Sequence, residues 1–286
     1  MIPRTEISQK ALLWGVPPDT VDKDWVLGHF LSAFYQIGDH KDKLVFKGGT
    51  CLRKCRFPEY RFSEDLDFTS LDSEYKLTRK VIRDIINMAG SVSGIQFHIG
   101  PLNDLIHRDN LAGYQAKIRY WGADHSKNQL PPDPQRWMTR IKIEVTLYEL
   151  LIFDPQDCLI NHSYSDAGSI SPQKIPCYDL KEIMSEKIRS LVQRSYTAPR
   201  DVYDIWKLRD KFDEKDWTSI QQAFLEKMKF KGHEYTGADQ LLSETSVQKL
   251  RNAWNRSLVP QLKPSDLPEF ELVIDELKVL FKTYLD

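Results

Sequence analysis

Long apolar runs are missing from this 286-residue chain. The longest, such as Leu150-Leu151-Ile152-Phe153, are far too short to span a bilayer. The opening residues Met1-Ile2-Pro3-Arg4-Thr5-Glu6 lack the apolar centre of a secretory signal. Cysteine is scarce: Cys51, Cys55, Cys158 and Cys177 are the full set, with no CxxC pair and no Cys/His zinc spacing. Cys51 and Cys55 are four apart on an expected helix, which gives proximity and nothing more. Reduced thiols, a cytoplasmic setting and no membrane partner are the expectation. Charge of either sign is not in excess: 40 Lys and Arg stand against 41 Asp and Glu, for a net charge of −1. Any nucleic-acid footprint must therefore be local. Internal repeats, low-complexity tracts and a GxSxG element are also lacking, and the seven histidines form no metal or triad spacing. His98 and His162 read as structural.

What remains is an ordinary globular composition, 41% hydrophobic and 28% charged, able to bury a sizeable core. Residues 21–37 carry Trp25, Val26, Phe30, Phe34 and Ile37 near a 3.6-residue period and predict an amphipathic helix. Leu44-Val45-Phe46 predicts a short buried strand ended by Gly48-Gly49, and Thr50 can cap the helix that follows. Leu66-Asp67-Phe68-Thr69 predicts a second strand. A helix is expected over 75–90, with Leu77, Val81, Ile85 and Ile86 on its core face. Strands are expected at 95–99, 115–121 and 140–147. In the last, Ile141, Ile143, Val145 and Leu147 alternate with Lys142, Glu144 and Thr146, so one face is buried. Prolines mark 129–134 as a loop, and 154–177 reads as irregular with short extended pieces. From Tyr178 onward the pattern is helical: 179–195, 200–212, 216–230, 239–257 and 269–284. Strands early and helices late predict an α/β (α+β) head with a small mixed sheet over residues 1–177, including N-terminal helices. A helical domain is expected over 178–286.

Lys47-Gly48-Gly49-Thr50 follows a strand and opens a helix. Glycine lets backbone N–H groups approach phosphate oxygens, and a helix start favours negative charge. The GxxxxGK[ST] spacing of a Walker A loop is absent, and the stretch alone also fits a plain strand-to-helix turn. Asp65 and Asp67 are two apart on a strand, so both point to one face. Two adjacent carboxylates repel and lose hydration, a conflict that a divalent cation resolves; an exposed acidic strand end is the other reading. Glu144 joins them as a third carboxylate if its strand pairs beside theirs; otherwise it faces solvent. Three carboxylates can hold two metals.

The segments Val21-Asp22-Lys23-Asp24-Trp25-Val26, Phe46-Lys47-Gly48-Gly49-Thr50-Cys51-Leu52-Arg53-Lys54 and Arg61-Phe62-Ser63-Glu64-Asp65-Leu66-Asp67-Phe68 together carry a resemblance. They resemble the AbiEii/AbiGii-type nucleotidyltransferase toxins, within the DNA polymerase β-like superfamily. The family pattern is a Gly-Gly-Thr/Ser turn followed by Ser-x-Asp-x-Asp. Glu182–Leu191 and Arg200–Ile205 resemble its later motifs, so the likeness runs from about residue 20 to 212. It does not reach the last 70 or so residues. Cys51 stands where the family often has Ser, a departure that touches no proposed ligand.

The resemblance implies that Gly48, Gly49 and Thr50 cradle nucleotide phosphates, and that Asp65, Asp67 and Glu144 bind Mg²⁺. It implies that Ser63 contacts the triphosphate or supports the metal site. Lys187 would meet nucleotide phosphate, and Asp201 and Asp204 would complete the pocket from the helical half. The residues themselves also allow a solvated Lys187 and an Asp201 that simply faces its helix dipole. Residues 187–211 hold seven basic and three acidic side chains, a local charge of +4 that suits either an RNA backbone or a solvated helix face. The implied activity moves an NMP from an NTP to a hydroxyl, with the tRNA 3′ end as the implied acceptor. The implied role is the toxin of a toxin–antitoxin pair in abortive infection or phage defence, opposed by a separately encoded antitoxin. Transfer to a small-molecule or protein hydroxyl, and a nucleotide-binding module without turnover, are the alternatives.

Overall fold

The computed structural model of the protein describes residues 1–125, 129–194 and 198–286. Two compact units emerge: Met1–Glu149 with Pro155–Tyr178, and Leu150–Asp154 with Asp179–Asp286.

The first unit begins with helices α1 (Arg4–Trp14), α2 (Pro18–Phe34) and the short α3 (His40–Lys43). Strand β1 (Leu44–Lys47) runs into one helical turn, α4 (Gly48–Cys51), which widens into a π-helical turn over Leu52–Arg56. Then come β2 (Asp65–Ser70), α5 (Arg79–Ser93), β3 (Gln96–His107), β4 (Asn110–Trp121), β5 (Arg140–Thr146), β6 (Gln156–Cys158) and β7 (Ile175–Cys177). The strands form one seven-stranded mixed sheet in the order β3-β4-β5-β2-β1-β7-β6. β1 runs antiparallel to β2 and parallel to β7, and β2 runs parallel to β5. The sequence expectation of a small mixed sheet with later helices describes this fold.

Helix α2 is more buried than an amphipathic surface helix. Trp25, Val26, Leu27, Phe30, Leu31 and Phe34 are all fully shielded. Phe34 stacks on Phe68 of β2, with ring centroids 4.3 Å apart, and Phe46 of β1 lies 5.3 Å from Phe68. The buried faces of β1 and β2 are thus fixed against α2, which leaves the alternate residues of β2 for the opposite face.

Helix α5 starts later than its periodicity suggests. Thr78 accepts the Val81 N–H at 3.2 Å, so Arg79 is the first helical residue. Ile82, Ile85, Ile86 and Ala89 then face the core; Val81 is only half-buried, and Leu77 is buried ahead of the helix. The strands expected at 95–99 and 115–121 are the ends of one long hairpin. Its two-residue turn, Arg108-Asp109, has φ of 48° and 63°, the left-handed pair whose twist suits a tight hairpin. Register shifts interrupt β3 between Ile99 and Leu102 and again between Leu105 and Ile106.

A buried polar network ties the loop after β6 to α2. Asp166 accepts from Trp25 Nε1 at 3.0 Å and pairs with His29 Nε2 at 2.9 Å and His162 Nε2 at 3.1 Å. His162 is buried and held by Asp166.

The second unit contains α6 (Leu180–Gln193), α7 (Pro199–Leu208), α8 (Glu214–Phe230), α9 (Glu244–Leu258) and α10 (Phe270–Tyr284). The expected end of α6 at residue 195 lies outside the described residues. Asp179, Asp213 and Ser243 cap α6, α8 and α9 through their side chains. Ile183, Ile188, Val202, Ile205, Trp217, Phe224, Leu277 and Phe281 fill the interior. Trp217 stacks on Tyr284 at 5.2 Å. The short strip Leu150–Asp154 belongs here for a visible reason. The carboxylate of Glu182 accepts the N–H groups of Ile152 (3.1 Å) and Phe153 (2.9 Å), and fully buried Lys227 donates to the Leu150 carbonyl at 2.5 Å while pairing with Glu182. Among the described residues no helix is long and apolar enough to cross a membrane.

Candidate active site

The glycine turn sits directly on the acidic strand. In the antiparallel register of β1 and β2, Lys47 faces Asp67, so the chain turns at Gly48 over the Asp67 side chain. Gly48 adopts φ +79°, and a Cβ there would lie 2.7 Å from Asp67 Oδ2. A Cβ on Gly49 would lie 2.7 Å from Arg61 Nη2 and 3.0 Å from Ser63 Oγ. Both positions need glycine, the first for conformation and space and the second for space. Thr50 is buried, and its hydroxyl donates to the Asp65 carbonyl at 2.5 Å. That bond locks the first helical turn to β2. The Thr50 hydroxyl is thus engaged with the protein, and the cradle is built from backbone.

A second anchor ties α2 to the turn that follows the glycines. Asp24 on α2 receives Arg53 Nε at 2.8 Å, Lys54 Nζ at 2.7 Å and the Tyr164 hydroxyl at 2.9 Å, all buried. These cations hold the Asp24 carboxyl well below the usual carboxylate range even though burial works the other way. Asp22, two residues earlier, accepts the Ala123 N–H at 2.7 Å; burial pushes its carboxyl up to about 7. Asp24 with Arg53 and Lys54 therefore clamps the turn that follows the glycines, while Asp22 holds the chain that leaves β4.

Asp65 and Asp67 share one face of β2, while Leu66 and Phe68 are buried on the other. Strand β5 lies parallel alongside, with Asp65 opposite Lys142 and Asp67 opposite Glu144. The three carboxylates thus stand on neighbouring strands of one sheet face. Lys142 Nζ reaches between them, 3.3 Å from Asp65 Oδ2 and 3.6 Å from Glu144 Oε2. Gln115 on β4 donates to Glu144 at 3.4 Å. Burial, then the Glu144 and Asp65 charges, push Asp67 up to about 6. Burial works against the Lys142 cation, but the Asp65, Asp67 and Glu144 carboxylates outweigh it and hold its pKa above the ordinary value. Among the described residues, the trios whose ligand atoms all lie within 4.8 Å of one another are Cys51–Cys55–Cys177 and His29–His162–Asp166. The carboxylates are more widely spread, with an ammonium between two of them. Their oxygen-only donor set and the raised Asp67 fit a hard divalent cation.

Lys142 and Gln115 were not singled out in the sequence. Lys142 had a legible signal, because two residues from Glu144 on an alternating strand is the same face. Arg61, buried beneath Gly49, had none beyond its neighbourhood.

In the helical unit, Lys187, Asp201 and Asp204 form their own cluster. Lys187 Nζ lies 3.0 Å from Asp201 Oδ1 and 2.5 Å from Asp204 Oδ2, and all three are buried. Asp201 also accepts Ser190 Oγ at 3.0 Å and pairs with Arg194. Burial opposes its charge, but Lys187 and Arg194 bring its carboxyl down to about 2. Lys187 is therefore no solvated surface lysine, and Asp201 does far more than face a helix dipole. The +4 stretch is also no open basic face. Besides Lys187 and Arg194, Arg209 pairs with Glu276 at 2.8 Å, and Arg189 is buried beside Glu186 at 3.8 Å.

Comparisons with known proteins agree with this architecture. MenT4, a nucleotidyltransferase toxin from Mycobacterium tuberculosis, superposes with a TM-score of 0.67 at 18% identity, covering 100% of this chain and 91% of that one. JHP933 from Helicobacter pylori superposes with a TM-score of 0.55 at 15% identity, covering 94% of each chain. At such identities the likeness speaks to the fold. No curated protein matches the sequence significantly. Residues 29–276 match the family described as "Nucleotidyl transferase AbiEii toxin, Type IV TA system". That match spans most of the chain, including the glycine turn, the carboxylate strands and the Lys187 cluster, and the protein is a member of the AbiEii nucleotidyltransferase toxin family.

Proposed function

We propose that this nucleotidyltransferase moves an NMP from an NTP to the 3′ end of tRNA with Mg²⁺ as cofactor, and that it acts as a growth-arresting toxin in phage defence. The single observation that supports the site assignment most is the apposition of Gly48 with Asp67, which itself faces Glu144 across β2 and β5. The acceptor hydroxyl oxygen attacks the α-phosphorus, the bond to the β-phosphate bridging oxygen breaks, and pyrophosphate leaves. Backbone N–H groups at Gly48 and Gly49 hold triphosphate oxygens, with Ser63 and Arg61 beneath the turn. Asp65, Asp67 and Glu144 would hold Mg²⁺, which when bound would neutralise the triphosphate and make the acceptor hydroxyl more acidic. Lys142, beside Asp65 and Glu144, would keep a positive charge on the face that receives the triphosphate. The protein's contribution is chiefly positioning and charge stabilisation. Lys187 is proposed to contact nucleotide phosphate, with Asp201 and Asp204 fixing its ammonium. A separately encoded antitoxin opposes the activity, and both act in the cytoplasm.

Transfer to a small-molecule or protein hydroxyl is the second reading. The ion pairing within residues 187–211 favours it, because those cations are already engaged. Incubation of the chain with each α-labelled NTP, Mg²⁺ and a mixture of total RNA, protein and metabolites separates the readings. Label on tRNA 3′ ends, absent with Asp67→Ala, is the expected result. Label confined to protein or small molecules overturns tRNA as acceptor. No label anywhere, from any NTP, overturns the site assignment.

A further inference from the structure

The four cysteines, scattered through the sequence, meet behind the glycine turn. Cys51 ends α4, Cys55 lies on the π-helical turn, Cys158 ends β6 and Cys177 ends β7. The sulfurs of Cys51, Cys55 and Cys177 all lie within 4.8 Å of one another. Cys177 is in hydrogen-bonding contact with each of the other three. Cys158 donates to the Gln156 carbonyl at 3.5 Å, and β6 pairs with β7 so that Gln156 stands opposite Cys177. Cys51 and Cys177 are fully shielded, and Cys158 is 9% exposed. All four are free thiols.

We propose that Cys51, Cys55, Cys158 and Cys177 form a structural Zn²⁺ site. A tetrahedral zinc with Zn–S bonds of about 2.3 Å keeps its sulfurs roughly 3.8 Å apart, which the trio's spacing admits. An iron–sulfur cluster interposes sulfide between its irons and needs a wider cage. A thiol has one weak donor, so four thiols packed together satisfy each other poorly, whereas an ion between them satisfies all four. The surroundings suit the anionic product. Arg56, next to Cys55 in the chain, has a buried Nε with no partner among the described residues. Its other nitrogens donate to the Tyr178 carbonyl at 2.5 Å and the Gln156 side chain at 2.8 Å, which holds the cation beside the sulfurs. A guanidinium near thiolates is the kind of outer partner metal sites use. On binding, four S–H bonds are exchanged for four S–Zn bonds and four protons leave to the buffer. The two-fold negative charge of the centre is partly offset by Arg56.

The spacing does not announce this site. Cys51 and Cys55 flank three residues, but the other pair comes from β6 and β7, and only the parallel pairing of β7 with β1 brings Cys177 to the turn. The ion pins the last two strands to the helical turn that carries the phosphate cradle. It is separate from the carboxylate site and does not depend on the proposed reaction.

The test uses the full chain, expressed with zinc and purified without chelator. Elemental analysis is expected to give about one zinc per chain, retained in Asp67→Ala and lost in Cys177→Ala. The stripped protein is expected to take up Co²⁺ with thiolate charge-transfer and tetrahedral ligand-field bands. Thiols of the wild type react slowly with a disulfide reagent when zinc is present and fast after chelation. Should Cys177→Ala fail to fold, Cys158→Ser at the sheet edge is the second variant, expected to weaken zinc binding by roughly tenfold or more. A folded wild type with only trace zinc, no cobalt spectrum and thiol reactivity indifferent to zinc overturns the site. So does a mass spectrum showing a disulfide between any two of the four.

Discussion

Asp67 and Glu144 stand directly opposite each other on the parallel strands β2 and β5, with no residue between them in the register. Burial first, and the neighbouring Glu144 and Asp65 charges after it, push the Asp67 carboxyl up to about 6. Replacing Asp67 by Ala or Asn is expected to lower transfer by about 10³-fold or more, the loss that several kcal/mol of metal-borne stabilisation implies. Circular dichroism should show the fold intact, because the apo protein gains nothing from this charge. Transfer at near wild-type rate in either variant would take Asp67 out of the reaction.

The same residue sets a pH dependence. Its folded-state pKa, about 6, lies above the ordinary 3.8, so the folded chain binds more protons than the unfolded one between those values. Stability of the metal-free protein from this group therefore falls as pH rises from about 4 to 6, by on the order of 1 kcal/mol after solvent screening. Asp67→Asn should flatten that part of the melting-temperature profile relative to wild type. Divalent-cation affinity should run the other way, rising with pH through 6 in the wild type.

Gly48→Ala places a methyl 2.7 Å from the Asp67 carboxylate at a left-handed φ of +79°. The backbone cost is about 1 kcal/mol, and the displaced carboxylate adds to it. The expected result is a modest drop in melting temperature with a large loss of NTP turnover. A variant that melts lower but transfers normally would show that the turn does not hold substrate.

Lys142 neutralises Asp65 and Glu144 where a metal is proposed to bind. Lys142→Met removes that competing cation, so isothermal titration should show tighter Mg²⁺ binding alongside slower transfer. Unchanged affinity would mean the ammonium and the metal do not share the carboxylates.

Lys187→Met leaves Asp201 and Asp204 buried without their ammonium, and a loss of about 3–5 kcal/mol of stability is expected. The triple change Lys187→Met, Asp201→Asn, Asp204→Asn removes the stranded charges and should recover most of it. If NTP use returns with the fold, the cluster is purely structural. If the fold returns and KM for NTP stays high, Lys187 contacts the nucleotide.

Much of the site could be read from the chain because it depends on short-range regularities. A period of two on β2 put Asp65 and Asp67 on one face, and alternation on β5 separated Glu144 from Ile143 and Val145. Whether the two strands were neighbours could not be read, since pairing across 77 residues of register, Asp67 with Glu144, is a property of the whole sheet. Lys142 went unremarked although the same period displayed it. The core face of α5 was off by one position at Val81 because Thr78 takes the Val81 N–H and delays the helix. The hairpin turn lacked an Asn-Gly signal, so Arg108-Asp109 hid the length of β3 and β4. The burial of Lys187 escaped notice because its partners lie 14 and 17 positions away on another helix.

The irregularity in β3 has a consequence for how copies of this toxin behave at high concentration. β3 is one border of the sheet, and there Pro101 offers no N–H inside the first of two slips in the ladder, between Ile99 and Leu102. The opposite border, β6, is only three residues long. These interruptions leave a neighbouring chain only short stretches of edge on which to lay a strand, which disfavours edge-to-edge polymerisation of the sheet.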